Sequence, residues 1–169
     1  LCQWLRHLDA TVFGVVSTDE KAAAALANGC HHVVVSPRED FVAAVRDVTK
    51  GKGVDVVYDG VGQATLRGSM QCLRKRGMLV SFGNASGKPG PVEVAELQHG
   101  GSLFLTRPTL HDYTATRQEL VNAAEVLWKL VRGGVLKARL DRTFPLAEAE
   151  QAHRRLEGRR STGAMVLLP

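Results

Sequence analysis

Residues 54–87 read VDVVYDGVGQATLRGSMQCLRKRGMLVSFGNASG, and this stretch decides the fold. The apolar, β-branched run at 54–58 predicts a strand. A helix is expected after it, closed by the basic run 74–77, and residues 78–82 predict a second strand. A strand, a helix and a strand in this order form a parallel βαβ unit, so both faces of the sheet are covered.

The same alternation continues on both sides of this unit. Residues 11–16 and 32–35 predict further strands. Three Ser/Thr-x-x-Glu capping boxes, at Ser17, Ser36 and Thr116, predict helix starts. Strands alternating with helices at this spacing indicate an α/β fold with a Rossmann-type doubly wound parallel sheet.

Two turns in the opening stretch are the candidate binding site. Ligands of open α/β sheets bind outside the carboxyl ends of the strands, where residues 59–62 and 82–87 fall. Glycine permits close backbone approach to a ligand, and Asn84 is able to bond a carboxamide or a phosphate. Ordinary strand-end turns also explain both segments and are favoured on local grounds, so the residues alone leave the choice open.

Composition narrows the class of protein. The chain has 169 residues, 44% hydrophobic and 23% charged, which is typical of a globular core. The net charge is +5, with basic clusters at 74–76 and 154–160. Solvated helix ends explain these clusters, as does an anion-binding face for a phosphorylated cofactor or a nucleic acid.

The cysteines and the apolar runs bear on location. Cys2, Cys30 and Cys72 are widely spaced, which predicts neither a disulfide framework nor a zinc site and fits a reducing, cytoplasmic compartment. Apolar runs fall short of the roughly 18 residues of a membrane span, so no membrane association is expected.

Ser17, Thr18 and Lys21 follow the early strand 11–16. NAD enzymes usually place Asp or Glu at this strand end, for the ribose hydroxyls. Two hydroxyls and an ammonium suit the 2′-phosphate of NADPH instead. A helix cap beside a surface lysine explains the same residues equally well, and the neighbouring acidic pair 19–20 weighs against an anion unless it points away.

The two ends of the sequence suggest a longer protein. Residues 1–8 have a helical apolar pattern, and the G-x-G-x-x-G loop of a Rossmann unit does not occur after any strand. We therefore expect the first strand and its glycine loop to precede residue 1, and this chain alone to fold poorly and not to turn over NADPH. Residues 134–169 read as a separate β-α-β tail, so a domain boundary is expected near Gly133.

Several segments carry a family resemblance: GVDVVYDGVGQATL (53–66), SFGNASG (81–87), TRPTL (106–110) and the C-terminal 26 residues from FPLAEAEQ onward (144–169). They closely resemble the NADPH:quinone oxidoreductases, the zinc-independent, zeta-crystallin-like branch of the medium-chain dehydrogenase/reductases. The resemblance implies hydride transfer from NADPH to a quinone without a metal. It also implies a GroES-like catalytic domain, to which the tail 134–169 would belong, and it assigns no catalytic residue within this chain.

The resemblance further implies a set of NADPH-contacting positions: Ser17, Thr18 and Lys21 at the 2′-phosphate, Ser36 at the adenine ribose phosphate, Gly60 and Val61 near the adenosine, Phe82, Gly83 and Asn84 at the nicotinamide-side strand end, Thr109 in the nicotinamide pocket, and Arg159 in the tail. Relatives often have Tyr or His at position 36, so stacking there is in doubt. Asp9 stands where the family commonly has a helix-ending Gly.

The resemblance also implies a homodimer, formed through an edge strand from Ser102 to Thr106. An apolar edge strand is otherwise an aggregation hazard, so a two-fold continuation of the sheet is physically sensible. Two other functions stay open: reduction of enones or enoyl thioesters, and a non-catalytic RNA-binding or crystallin-like role. RNA-binding motifs of the recognised kinds are not visible, which disfavours a nucleic-acid partner.

Overall fold

The computed structural model describes residues 1–36, 38–158 and 161–169, in which strands and helices alternate as predicted. The strands are β1 (Phe13–Val16), β2 (His32–Val35), β3 (Val54–Asp59), β4 (Leu73–Ser81), β5 (Phe104–Thr106), β6 (Leu140–Pro145) and β7 (Ala164–Leu168). The helices are α1 (Cys2–His7), α2 (Asp19–Ala27), α3 (Phe41–Val48), α4 (Leu66–Cys72), α5 (Val94–His99), α6 (Leu110–Tyr113), α7 (Arg117–Arg132) and α8 (Ala149–Glu157).

β3, β4 and β5 form parallel pairs connected by helices, and so do β6 and β7, which is the α/β class that the sequence predicts. One sheet has the order β3-β4-β5, with both pairs parallel. A second sheet pairs β1 with β2, and a third pairs β6 with β7 in parallel. β1 and β3 belong to different sheets.

The chain divides into two compact units. Unit 1 comprises residues 1–33 and 125–169, and unit 2 comprises residues 34–124. The predicted boundary near Gly133, between a nucleotide-binding domain of residues 1–133 and a tail of residues 134–169, concerns the organisation of the whole protein and stays a prediction.

Unit 2 has a continuous apolar core that supports the strand ends. Its buried members come from α4, β4 and the residue before β5: Leu66, Met70, Leu73, Leu79 and Leu103. Leu73 and Leu79 are each only 1% exposed. Since burying one large aliphatic side chain contributes roughly 1.5–3 kcal/mol, this cluster fixes β4 firmly against α4.

Unit 1 joins two distant parts of the chain through polar contacts. The Gln3 amide donates to Asn28 Oδ1 at 2.7 Å, and its Oε1 accepts from the backbone N–H of Lys137 at 2.9 Å. The His32 ring stacks on Phe13 with centroids 4.7 Å apart. α1 is therefore tied both to the end of α2 and to the segment that follows α7.

Two of the three predicted helix starts are wrong by a few residues. α2 is capped by Thr18, whose hydroxyl accepts from the Lys21 N–H at 3.2 Å, and not by Ser17. α3 begins at Phe41 rather than after Ser36, because the Asp40 carboxylate accepts from the first free helical N–H groups. Pro37, the predicted first helical residue there, lies outside the described residues.

The third capping box is confirmed. The Thr116 hydroxyl accepts from the Glu119 N–H at 3.2 Å, and the Glu119 carboxylate accepts from the Thr116 N–H at 2.9 Å. These two bonds satisfy donors that a helix N-terminus otherwise leaves free, so α7 starts where the box predicts.

The basic run 74–77 does not end a helix, as the sequence suggested, but lies inside β4. The register between β3 and β4 shifts there, from Val54 opposite Leu73 to Val56 opposite Met78. Arg76 adopts a positive φ of 60° in this irregular segment. Four residues of β4 (74–77) lie between these two register pairs, where β3 has only Asp55, so this irregular segment lacks the alternating pattern that marks a strand.

Two further strand limits differ from the prediction. β5 starts at Phe104 and not at Ser102, because Ser102 has a φ of 58°, which a strand does not accommodate. Residues 144–145 end β6 instead of opening a helix, and a 3₁₀ turn at Leu146–Glu148 precedes α8. β6 and β7 are parallel and are connected by α8, which agrees with the β-α-β tail that the sequence predicts.

Candidate functional site

The turns after β3 and β4 are hydrogen-bonded to each other over their whole length. The Phe82 N–H donates to the Asp59 carbonyl at 2.9 Å, the Ser86 N–H to the Val61 carbonyl at 2.8 Å, and the Gln63 N–H to the Gly87 carbonyl at 3.1 Å. The two turns that the sequence predicts as the binding site (residues 59–62 and 82–87) are therefore parts of one structure, which we call the paired loops (residues 59–65 and 81–87).

Asp59, the last residue of β3, organises the first of these loops. Its Oδ1 accepts from the backbone N–H groups of Val61 at 2.8 Å and Gly62 at 2.9 Å. Its Oδ2 accepts from the hydroxyls of Thr65 and Ser69, each at 2.8 Å. The carboxylate is nearly fully buried, so these bonds replace its water shell.

Burial of the Asp59 carboxylate favours its neutral form, and the hydrogen bonds favour the charged form. Burial would raise the pKa, but the donors from Gly62, Ser69, Thr65 and Val61 outweigh it, and the pKa of Asp59 lies below its ordinary value. Asp59 is thus a buried anion at neutral pH, and its ionised form contributes stability that would be lost only as the pH falls through its lowered pKa.

Glycine is required where the paired loops touch. A Cβ on Gly83 would lie 2.1 Å from the Gly60 carbonyl oxygen, and one on Gly62 would lie 2.7 Å from the Gly87 carbonyl oxygen. The Phe82 ring covers Gly60, where a Cβ would approach it to 3.0 Å. The other face of this ring is open, since Phe82 is 53% exposed, so the loops present an aromatic surface beside bare backbone.

Arg107, just after β5, orients the side chain of Asn84. Its guanidinium donates to Asn84 Oδ1 at 3.1 Å and to the Ser81 carbonyl at 3.3 Å. Because an arginine has only donors, the amide oxygen of Asn84 must face it. The amide N–H₂ of Asn84 is thereby turned away from Arg107, as a donor for a carboxamide or phosphate oxygen.

Ser17, Thr18 and Lys21 lie together at the start of α2, in unit 1. The Lys21 ammonium donates to the Ser17 hydroxyl at 3.2 Å, while Thr18 caps the helix. The hydroxyl of Thr18 is therefore a helix cap, and the contact of Ser17, Thr18 and Lys21 with a 2′-phosphate stays a prediction.

The structure brings together Gly60, Val61, Phe82, Gly83 and Asn84 in the paired loops. Ser36 is exposed in the turn after β2, and Thr109 is exposed directly before α6. Arg159 lies outside the described residues.

Three residues important to the geometry had no assigned role in the sequence: Asp59, Ser86 and Arg107. Asp59 and Ser86 lie within the two turns predicted as the binding site, but their hydrogen-bond partners depend on how the two loops pair. A buried Asp directly before G-x-G, with Thr and Ser six and ten residues later, is the signal that would have pointed to Asp59. Arg107 was interpreted only as the end of a strand.

Residues 1–36, 38–158 and 161–169 contain neither a metal-ligand cluster nor a membrane-spanning helix. In that region of the chain, His, Cys, Asp and Glu do not gather in groups of three or more able to hold a metal ion. Within the same residues, every helix is too short or too polar to cross a membrane.

Parallel strands joined by helices, with glycine-rich loops at their carboxyl ends, define a Rossmann-type nucleotide-binding domain. The chain belongs to the zinc-binding dehydrogenase family of the medium-chain dehydrogenase/reductases, whose family model matches residues 28–167. The family description names zinc, but the described residues do not supply a ligand set for it.

Individual relatives cover the whole chain. It is 49% identical over 167 residues to a 2-haloacrylate reductase from a Burkholderia species, covering 98% of this chain and 50% of the relative. It is 42% identical to quinone oxidoreductase 1 of Escherichia coli K12, covering 99% of this chain and 52% of the relative.

A solved structure of Escherichia coli quinone oxidoreductase complexed with NADPH is also similar to the chain. The TM-score is 0.94 at 42% identity, and the match covers 99% of this chain and 52% of that one. The chain thus spans about half the length of the relatives it matches.

Proposed function

We propose that the whole protein is an NADPH-dependent reductase and that this chain contributes its cofactor-binding region. The paired loops are the observation that carries the proposal: bare backbone at Gly60 and Gly83, an aromatic surface at Phe82 and an oriented amide at Asn84 meet at the carboxyl ends of parallel strands. The solved relative complexed with NADPH supports the choice of cofactor.

In this proposal each residue group has a separate task. NADPH, when bound, supplies a hydride. Gly60 and Val61 allow the adenosine side to approach the backbone, and the Asn84 amide donates on the nicotinamide side. Lys21 and the Ser17 hydroxyl hold the 2′-phosphate, with Ser36, Thr109 and Arg159 as further proposed contacts. These tasks are binding and orientation, and we assign no proton transfer to this chain.

The acceptor we propose is a quinone, and the reaction is hydride transfer to its electron-poor ring without a metal. Relatives named quinone oxidoreductase support this acceptor. An activated alkene is the second candidate, because a 2-haloacrylate reductase is 49% identical to the chain. Measuring kcat/KM of the whole protein with a panel of quinones, enones and 2-haloacrylates would decide between them. The class of compound with the highest kcat/KM is the substrate class.

The first prediction concerns the choice of NADPH over NADH. Lys21→Ala removes the ammonium proposed for the 2′-phosphate, and a charged hydrogen bond contributes about 1.5–3 kcal/mol. We therefore expect the preference for NADPH to fall by about tenfold or more, as measured by titration of the whole protein with each cofactor.

Lys129→Ala, which removes an exposed lysine of α7, is the matched control and should leave the preference unchanged. Equal NADPH-to-NADH ratios before and after Lys21→Ala would show that the 2′-phosphate lies elsewhere.

We further propose a homodimer and a cytoplasmic location. β5 is an edge strand of its sheet, and its Phe104 and Leu105 side chains are 57% and 38% exposed. Pairing of two such edges would cover them. The wide spacing of the cysteines supports a reducing compartment. A non-catalytic RNA-binding role would require salt-dependent RNA binding that survives loss of NADPH binding.

A further inference from the structure

Ser86 links the paired loops through its side chain as well as its backbone. Its hydroxyl donates to the Val61 carbonyl at 2.8 Å and accepts from the Ala64 N–H at 2.9 Å. The same Val61 carbonyl also accepts from the Ser86 N–H at 2.8 Å. A single hydroxyl therefore closes the far end of the first loop, where it turns into α4.

Asp59 closes the near end of the same loops. Its carbonyl accepts from the N–H groups of Phe82 at 2.9 Å and Gly83 at 3.3 Å, while its carboxylate holds the N–H groups of Val61 and Gly62. One residue thus sets the start of both loops. The backbone carbonyl of Asp59 thus positions Phe82 and Gly83, and the carboxylate of the same residue positions Val61 and Gly62.

We propose that Asp59 and Ser86 are positioning residues that lock the adenosine-side loop to the nicotinamide-side loop, so that the two halves of the cofactor site keep one fixed spacing. This inference rests on the proposed function. It predicts that loosening either residue weakens NADPH binding even though neither side chain is assigned a contact with the cofactor.

Ser69 serves as the control, because its loss should lower the stability of the protein without changing the position of the loops. Its hydroxyl donates to Asp59 Oδ2 at 2.8 Å from within α4, on the side of the carboxylate away from the loop N–H groups. Ser69→Ala removes one buried hydrogen bond but leaves Oδ1 with its two loop donors. Ser86→Ala removes a half-buried hydroxyl and with it the two side-chain bonds between the loops, to the Val61 carbonyl and from the Ala64 N–H.

The test uses these two Ser→Ala variants of the whole protein, with NADPH titration and amide hydrogen exchange measured without cofactor. For Ser86→Ala we expect the Kd for NADPH to rise by about fivefold to thirtyfold and exchange within residues 60–64 to quicken by about tenfold or more. For Ser69→Ala we expect a lower Tm with a Kd within about twofold of wild type. Equal effects of the two variants on Kd, or an unchanged Kd in Ser86→Ala, would overturn the proposal.

A second pair of variants tests Asp59. Asp59→Asn keeps an oxygen for the loop N–H groups, and its amide can donate to the Thr65 and Ser69 hydroxyls, which are able to accept. Asp59→Ala keeps neither the oxygen for the loop N–H groups nor a polar group that could bond the two hydroxyls. We expect a Kd within about threefold of wild type for Asn and raised more than about tenfold for Ala, at a temperature where circular dichroism shows both folded. Wild-type affinity in folded Asp59→Ala would refute the positioning role.

NADPH binding and amide hydrogen exchange test two separate claims, the proposed function and the lock between the loops. If the wild-type protein bound no NADPH, the proposed function would be wrong, while the exchange rates would still judge the lock between the loops. If NADPH binds and exchange in Ser86→Ala equals that of wild type, the lock is wrong and the proposed function stands.

Discussion

Gly83 lies where no other residue fits. A Cβ at this position would lie 2.1 Å from the Gly60 carbonyl oxygen and 2.6 Å from the Gly60 Cα, both of them backbone atoms that cannot rotate away. The restriction comes from contact rather than from backbone conformation. Any side chain at position 83 must therefore push the paired loops apart.

Gly83→Ala should separate these loops, and we expect it to reduce the free energy of unfolding by about 1–3 kcal/mol, the usual cost of overpacking. Chemical denaturation of the whole protein measures this. Gly90→Ala is the control, because a Cβ there would meet nothing within 4 Å. Equal stability of the two variants would contradict the close contact.

At the residue scale, the sequence predicted which glycines lie at the strand ends but not which residues contact them. Gly60, Gly62 and Gly83 stand out because they follow apolar strands. Asp59 does not, since its role depends on donors from a turn and from α4 that converge only after folding. The same holds for Arg107, whose partners precede it by more than 20 residues.

α3 is fastened to its neighbours by one arginine. Two N–H groups of the Arg46 guanidinium donate to the Gln71 carbonyl, at 2.5 and 2.9 Å. The guanidinium also donates to the carbonyls of Gly51 at 2.7 Å and Leu73 at 3.0 Å. These carbonyls belong to the last residues of α4, the start of β4 and the turn after α3. A planar fork thus satisfies acceptors that a helix end leaves free.

Arg46→Lys should not replace this fork, because one ammonium cannot reach all three carbonyls in the same geometry. We expect the free energy of unfolding to fall by about 1–3 kcal/mol, measured by urea denaturation. Arg132→Lys, at an exposed position in the last turn of α7, should change it by less than about 0.5 kcal/mol. A wild-type midpoint for Arg46→Lys would show that the fork is dispensable.

At the element scale, the order of strands and helices could be predicted, and several helix starts could not. Apolar β-branched runs mark strands whatever their neighbours are. Capping boxes are less specific, because Ser17 and Thr18 both satisfy the chemistry of a cap and only the backbone path selects Thr18. The prediction that residues 74–77 end a helix was wrong for a similar reason. The basic residues favour a helix end, but the pairing of β4 with β3 overrides that preference.

At the scale of the whole molecule, the exposed edge of β5 governs the proposed dimer. In a two-fold interface each residue near the axis meets its own copy or a close neighbour. Phe104→Lys would bring like charges together there, so we expect the mass of the whole protein measured by light scattering to fall by half.

Val94→Lys provides the matched control, since Val94 is 81% exposed on α5 and not on the sheet edge. It should leave the mass unchanged. A dimeric Phe104→Lys protein, or a monomeric wild type, would show that the edge of β5 is not the interface.

The division of the chain into a continuous and a discontinuous unit has a consequence for biosynthesis. Unit 2 is one uninterrupted segment, whereas unit 1 needs residues 1–33 to meet residues 125–169, with Gln3 bonded to Lys137. The residues of unit 2 are all synthesised before residues 125–169. At about 5–20 residues per second, the early segment waits on the order of ten seconds for its partner. During that interval Gln3 lacks its bond to Lys137, so we expect residues 1–33 to be more open to chaperones than they are in the folded protein.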